Sequence, residues 1–199
     1  MICQYGYESA KKFFESVLAS NNKTTIRCNT EKITTEDLKK ILKENQIAAE
    51  DGTYLPCALK ISNYNYLADL ESFKKGYFLI QDESSMLVGA VSGVKKYDMV
   101  IDVCAAPGGK SLHIAELLQS TGHVDARDLS ESKVNLIREN INRLVSKYYC
   151  QDRGCPCLDK ESIDKADIVI ADLPCSGLGV IGKKPDIKYN MTMESKENL

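Results

Sequence analysis

Two short apolar runs, each ending in an acid and a tight turn, constrain the fold of this chain more than any other feature. The first is Val100-Ile-Asp-Val-Cys-Ala-Ala-Pro-Gly-Gly-Lys110, and the second is Ile168-Val-Ile-Ala-Asp-Leu-Pro-Cys-Ser176. This pattern is typical of a buried parallel strand, which is covered on both faces and delivers polar groups to the carboxyl edge of the sheet. The two runs therefore predict strands of one parallel sheet with a ligand site at that edge.

The remaining sequence predicts two parts within 199 residues. Residues 1–75 have an amphipathic helical repeat, a second helix capped by Thr34 and short strand patterns, which indicates a small α+β domain with a leading linker helix. Residues 76–199 alternate strands and helices, which is the pattern of a doubly wound, Rossmann-like α/β sheet. The predicted boundary lies at residue 75.

The first part is predicted to contain a helix over 7–20, a strand over 24–28 and a second helix that ends near Asn45. In the second part, a strand-like run over 76–85 leads into a helix over 86–91. The predicted strands that follow are 99–103, 123–127, 148–151 and 167–171, and the predicted helices are 111–118 and 130–145.

Composition and charge favour a cytoplasmic protein that is neither exported nor embedded in a membrane. The net charge of −2 argues against broad electrostatic capture of nucleic acid. The eight cysteines indicate reduced thiols, because no export signal accompanies them. Cys150, Cys155 and Cys157 lie close together, but the chain has only two histidines and neither stands in a ligand pattern. We therefore predict thiols in a loop and no metal site.

The turn at 105–109 consists of residues with small side chains or none, so a ligand can approach its backbone next to a helix N-terminus. It lacks the dinucleotide fingerprint, and residues 104–111 match a phosphate-binding loop except that Cys104 replaces the first glycine. Asp102, just upstream, suits a cationic sulfonium better than a polyphosphate. These residues favour S-adenosylmethionine and leave a phosphate-loop NTPase as an alternative.

Acids at the ends of later strands extend this hypothesis. Asp128 closes the second strand, where a carboxylate can hold the two ribose hydroxyls of a nucleoside. Asp152, predicted to end the third strand, could accept a hydrogen bond from the adenine amino group, and an exposed loop aspartate remains the alternative.

Asp172 and Cys175 follow the fourth strand, with a proline between them that fixes the backbone. Cytosine C5 becomes nucleophilic only after a thiolate adds at C6, so carbon methylation of a pyrimidine needs a cysteine and a polar group that holds the ring. Asp172 and Cys175 are therefore candidate catalytic residues, although a single cysteine can also be a small buried hydrophobe.

Four segments of the chain together resemble the RsmB/NOP-type RNA cytosine-5 methyltransferases, most closely the bacterial members that modify small-subunit ribosomal RNA. They are residues 76–85, 102–110, 128–133 and 172–188. The resemblance implies a methyltransferase sheet with strand order 3-2-1-4-5-7-6, small-subunit ribosomal RNA rather than DNA as partner, and S-adenosylmethionine as cofactor. The cofactor-binding residues that it implies are Cys104, Ala105, Ala106, Pro107, Gly108, Gly109, Lys110, Asp128, Asp152 and Asp172.

The chain departs from this family in one respect that concerns catalysis. The attacking cysteine of the family lies in a Thr-Cys pair on a later strand, and no Thr-Cys pair occurs in this sequence. Cys175 matches the other family cysteine, which is associated with release of the methylated base. We expect a chain truncated after the fourth strand, with its main nucleophile beyond Leu199, that is inactive alone. A non-catalytic RNA-binding fragment is the alternative function from another class.

Overall fold

The computed structural model describes residues 6–18, 23–144, 150–154 and 160–175. Contacts divide the chain into two units, one of residues 1–22 with 174–199 and one of residues 23–173. The first unit contains helix α1, Tyr7–Leu18, in which Ala10 is buried. The predicted helix over 7–20 is therefore present, and its last two residues lie outside the described part.

The second unit begins with an antiparallel sheet in the order β2-β3-β1-β4. Its strands are β1 Thr24–Cys28, β2 Ala48–Asp51, β3 Ala58–Ser62 and β4 Phe78–Ile80. Helices α2, Thr35–Glu44, and α3, Glu71–Lys74, belong to this part.

Helix α2 follows the sequence-based prediction closely. The side chain of Thr34 caps it by accepting from the N–H of Asp37, and Asn45 is its C-cap. Leu38 and Leu42, on its inner face, are fully buried in a core that includes Ile26 of β1. The helix thus forms where a cap and an apolar stripe coincide.

Strand β4 lies just after the predicted boundary at residue 75, yet it pairs with β1 and completes the antiparallel sheet. It is followed at once by helix α4, Glu83–Val91. The segment that was predicted to open the second part therefore connects the two sheets within one unit.

The second sheet is parallel throughout, with the order β7-β6-β5-β8. Its strands are β5 Met99–Asp102, β6 His123–Asp128, β7 Cys150–Gly154 and β8 Ile168–Ile170. Helices α5, Gly109–Leu117, and α6, Glu131–Leu144, connect them. Numbered within this sheet, the order is 3-2-1-4, which confirms the α/β methyltransferase-like fold expected from the sequence.

The core of the parallel sheet joins its central strands to the helices. Val100, Val124 and Ile170 are buried in it together with Ile114 of α5 and Ile137 of α6. Strand β8 is an edge strand in the described part of the chain, and the side chain of Val169 is 60% exposed. None of the helices in the described ranges is both long and apolar enough to cross a membrane.

Candidate functional site

A bend of three residues, Pro107, Gly108 and Gly109, connects β5 to α5 at the carboxyl edge of the parallel sheet; we call it the Pro-Gly-Gly bend. Gly108 has φ +104, a conformation that favours glycine. Just before the bend, the N–H of Ala105 donates to the carbonyl of Arg127 (2.8 Å), which ties the loop to β6. Gly108 is buried and Gly109 half-buried, and neither places a side chain at the start of helix α5.

Asp102, the last residue of β5, is buried below this bend. Its Oδ2 accepts a hydrogen bond from Ser111 Oγ of α5 at 2.6 Å. Its Oδ1 is buried without a hydrogen-bond partner among the described residues. Burial raises the pKa of Asp102, against the opposing effect of the Ser111 hydrogen bond. A hydrogen bond from the backbone N–H of Cys104 also favours the ionised form, and a buried carboxylate beside the bend suits a ligand that brings a donor or a positive charge.

Asp128, the last residue of β6, is also buried and holds the loop that precedes the bend. Its Oδ2 accepts from the N–H of Ala106 (3.1 Å), and its Oδ1 accepts from the N–H of Leu129 (2.8 Å). Lys133 Nζ lies 3.1 Å from the same Oδ1. The predicted ribose-binding acid is therefore also part of the support for the loop.

Lys110 connects three segments that the sequence singled out separately. Its Nζ donates to Asp172 Oδ2 at 2.6 Å, beyond the end of β8, and to Ser85 Oγ at 3.1 Å, in α4. Asp172 is largely exposed, whereas Lys110 is mostly covered. The structure thus brings two predicted site residues together across the sheet edge.

The remaining predicted residues are less closely defined. Asp152 is the third of five residues in β7 and pairs with Ala126, so it does not end the strand as predicted. The structure describes the backbone of Asp152 but not its side chain. Cys104 is half-buried near the bend and forms no disulfide, and Cys175 is an exposed free thiol in the other unit. The clustered Cys155 and Cys157 and the basic end of the 172–188 segment are outside the described residues.

Two supporting residues were missed from the sequence. Asn140 of α6 donates to the carbonyl of Pro107 at 2.9 Å, although on its helix it has the pattern of a solvent-facing residue. Ser111 was noted only as part of a phosphate-loop match, and its position in the first turn of α5 after Asp102 was the available signal. No group of three or more metal-binding side chains occurs in the described ranges.

Taken together, these groups fit an adenosyl nucleoside with a sulfonium centre. Gly108 and Gly109 present no side chains to a ligand, while Asp102 and Asp128 place carboxylates beneath the same edge. Helix α5 begins at this edge and directs its first N–H groups there. A nucleoside site at the carboxyl edge of a sheet with strand order 3-2-1-4 is the arrangement of S-adenosylmethionine-dependent methyltransferases.

Comparison with known proteins identifies the family within this class. A family model described as 16S rRNA methyltransferase RsmB/F matches residues 92–197, more than half of the chain. The chain belongs to this family, which confirms the resemblance noted in the sequence. It is thus a member of a family of methyltransferase enzymes, and S-adenosylmethionine is the cofactor of that class.

Relatives and a solved structure extend the match to nearly the whole chain. The probable ribosomal RNA small subunit methyltransferase B of Bacillus subtilis is 36% identical over 98% of this chain. The tRNA (cytosine(72)-C(5))-methyltransferase of Pyrococcus horikoshii is 41% identical over 57% of it. The chain spans 44% and 29% of the lengths of these two relatives. The crystal structure of NSun6 from Pyrococcus horikoshii shares the fold, with a TM-score of 0.82, 23% identity and coverage of 97% of this chain and 73% of that one.

Proposed function

We propose that this chain supplies the cofactor-binding part of an enzyme that transfers a methyl group from S-adenosylmethionine to C5 of cytosine in RNA. The observation that carries the proposal is the carboxyl edge of the parallel sheet, where the Pro-Gly-Gly bend lies against buried acids and Lys110 reaches Asp172. The family assignment and the relatives named above support the same reaction.

Within this proposal, the methionine end of the cofactor lies along residues 104–110. Asp128 holds the ribose, Asp152 the adenine, and Asp172 lies between cofactor and base. A thiolate adds to C6, and C5 takes the methyl group, which would release the cofactor as neutral S-adenosylhomocysteine. A base then removes the C5 proton, and the C6–S bond breaks to expel the thiolate. Cys175 is proposed to assist release of the methylated base. The attacking thiolate is proposed to come from a Thr-Cys pair, which the printed sequence lacks, so the chain alone does not turn over.

The proposed substrate is small-subunit ribosomal RNA, because the Bacillus subtilis relative is named for it and matches almost the whole chain. Transfer RNA is the second candidate, favoured by the Pyrococcus horikoshii relative. The cytoplasm is the compartment that an RNA substrate and reduced thiols favour. The two candidates are distinguished by letting both purified RNAs compete for the chain and measuring which RNA is bound at two salt concentrations. Non-specific electrostatic binding weakens with added salt, so a preference for one RNA must persist at the higher concentration.

The cofactor site is tested by isothermal titration calorimetry with S-adenosylhomocysteine. We expect binding by the wild type and loss of at least about tenfold in affinity in Asp128→Ala, because one charged hydrogen bond is removed. Asp167→Ala is the matched control: its carboxylate also accepts a backbone N–H, from Met99 at 2.8 Å, but at the opposite edge of the sheet. Equal affinity in all three proteins would contradict the assignment of Asp128.

A thermal-shift panel separates the function classes. Stabilisation by S-adenosylhomocysteine supports the methyltransferase, stabilisation by ATP with magnesium supports the phosphate-loop NTPase, and stabilisation by neither supports an RNA-binding fragment without a cofactor. Methyl transfer from labelled cofactor to RNA by this chain without another polypeptide would refute its proposed dependence on a second cysteine.

A further inference from the structure

Three buried polar side chains from three different elements meet on the side of α5 that faces the antiparallel sheet. Arg27 of β1 donates through Nε to Oε1 of Gln81, which follows β4, at 2.9 Å. Its Nη1 donates to the carboxylate of Glu116, near the end of α5. Arg27 is 1% exposed and Gln81 8% exposed, so neither contact competes with bulk water. One guanidinium therefore joins two strands of the antiparallel sheet, β1 and the end of β4, to helix α5.

The other end of the Gln81 amide lies against the start of α5. A methyl group built on Gly109 would lie 3.4 Å from both Cδ and Nε2 of Gln81. Nε2 is buried and has no hydrogen-bond partner in the described part of the chain. Because a guanidinium can only donate, the amide oxygen must face Arg27, and this leaves Nε2 toward Gly109. The orientation of the amide is thus fixed by Arg27.

The side chains that Arg27 organises thus lie next to both ends of helix α5, through a hydrogen bond at Glu116 and through close packing at Gly109. Glu116 is held directly by Arg27, and about 10 Å away along the helix axis the amide that Arg27 orients borders the space that a Cβ atom on Gly109 would enter. Gly109 is both the first residue of α5 and the last residue of the Pro-Gly-Gly bend. A shift of the amide would therefore be transmitted to the bend. A buried donor without a partner is costly, and such groups persist mainly where their position has a function.

We propose that Gln81 is a positioning residue, which Arg27 orients so that its amide holds Gly109 and keeps the Pro-Gly-Gly bend in the shape that receives the cofactor. The amide links cofactor binding to the antiparallel sheet, whose strand β4 also places Leu79 Cδ2 at 3.6 Å from the same built methyl group. The consequence for binding rests on the proposed function, whereas the effect on the bend itself does not.

The test compares Gln81→Met with the wild type in two measurements. In the free protein, the amide proton and nitrogen chemical shifts of Gly109 and Lys110 should change, because methionine fills the space but lacks the planar amide. Affinity for S-adenosylhomocysteine, measured well below the melting temperature, should fall about fivefold to tenfold, the effect of one net hydrogen bond. Gln81→Glu keeps an oxygen facing Arg27 and should restore both quantities toward wild type.

Asn29→Leu is the matched control, because Asn29 is another buried amide that follows β1: its Nδ2 donates to the carbonyls of Gly76 and Leu144, and its Oδ1 accepts from the N–H of Glu31. It should lower stability and leave the Gly109 shift and the affinity unchanged. Wild-type shifts and affinity in Gln81→Met, or equal changes in Asn29→Leu, would overturn the proposal. If the wild type failed to bind S-adenosylhomocysteine, the proposed function would fail, and the Gly109 shift in the free protein would still decide the role of Gln81.

Discussion

Two junctions connect the antiparallel sheet to the parallel one, and they use different chemistry. The carbonyl junction consists of Asn29, Lys32, Gly76, Arg143 and Leu144, and the guanidinium junction consists of Arg27, Gln81 and Glu116. In the first, side chains donate to main-chain carbonyls, which do not titrate. In the second, a cation bonds to an amide and a carboxylate, and two buried nitrogens have no partner among the described residues.

The carbonyl junction satisfies groups that every helix leaves open. The last carbonyls of α6 lack partners inside the helix, and Asn29 and Lys32 donate to those of Leu144 and Arg143 at 2.8 Å each. The Arg143 guanidinium carbon lies 3.9 Å from the ring centroid of Phe73, and Nη1 donates to the carbonyl of Phe78 at 3.1 Å. We infer that this junction sets stability, and that the guanidinium junction sets pH dependence and the shape of the bend.

The largest expected effect is in the carbonyl junction, at Gly76. A methyl group there would lie 2.0 Å from the carbonyl oxygen of Arg143, and the residue has φ +70. Gly76→Ala should lower the unfolding free energy by at least about 3 kcal/mol, because main chain must move. Gly93→Ala is the control, since Gly93 has φ +69 but a methyl group built there meets no atom within 4 Å. This change should lower the unfolding free energy by about 1 kcal/mol. Equal losses in urea unfolding would mean that close packing at Gly76 is unimportant.

The second effect is a pH dependence that belongs to the guanidinium junction. Burial raises the pKa of Glu116 from 4.5 to about 7, in spite of the attraction of Arg27. The folded state therefore holds a proton that the unfolded state releases between these values, so this contribution to stability grows as pH falls from about 7 and is lost as pH rises. The interval corresponds to at most about 3 kcal/mol.

His113 acts in the opposite direction and must be separated from Glu116. Burial lowers the pKa of His113 from 6.5 to about 4, so its contribution is present above pH 6.5 and is lost as pH falls toward 4. In Glu116→Gln the loss due to His113 should remain while the contribution of Glu116 is absent. The stability of the wild type relative to this variant should therefore increase from pH 7.5 to pH 4.5. A constant difference in urea titrations across this range would show that Glu116 does not titrate as inferred.

A smaller effect is expected for Asn29→Leu, which removes two hydrogen bonds of the carbonyl junction and leaves two buried carbonyls without them. The loss should be about 2 kcal/mol and independent of pH between 5 and 8. Asn135→Leu serves as the control, because Asn135 is exposed on α6 and accepts a hydrogen bond from Arg138 of the same helix. A strong pH dependence in Asn29→Leu would remove the distinction between the two junctions.

The smallest effect is expected away from both junctions, at the Lys110–Asp172 ion pair. Asp172 is 61% exposed in its side chain, so solvent screens the pair. Asp172→Asn should change the unfolding free energy by less than about 0.5 kcal/mol. Lys74 and Glu71 form an exposed pair of similar kind, and Glu71→Gln should have an equally small effect. A loss above about 1 kcal/mol in Asp172→Asn alone would show that the site pair also supports the fold.

The bend and its acids could be predicted because their signals are local. A strand pattern followed by Asp102, a glycine turn and a helix determines where the edge of the sheet lies, and Asp128 follows from the same reasoning one strand later. Asp152 was misplaced within β7, because the predicted strand near Tyr148–Gln151 offers no apolar alternation that marks its end. The contacts of Lys110 with Ser85 and Asp172 join distant segments and follow only from the fold.

The guanidinium junction could not be predicted for a physical reason. In β1, Ile26, Arg27 and Cys28 are all buried, so the alternation that normally separates a core face from a solvent face is absent. A strand pattern gives the side on which a residue lies but not what covers that side. The sequence of β1 therefore gives no sign that Arg27 lies buried against Glu116 of α5. The position of β4 in the first sheet escaped prediction similarly, since pairing partners are non-local.

The hydrogen bond from Ala106 to Asp128 affects how any mutational scan of this edge should be interpreted. Because the Asp128 carboxylate secures the loop, its removal also causes any loss of function that results from a disordered loop. Asp128→Ala removes the proposed ligand contact and the hydrogen bond to the Ala106 N–H together. The measured loss of affinity then overstates the contribution of the ligand contact. Asp128→Asn retains an oxygen for the Ala106 N–H, so the gap between the two variants measures how much of the apparent affinity is loop order rather than recognition.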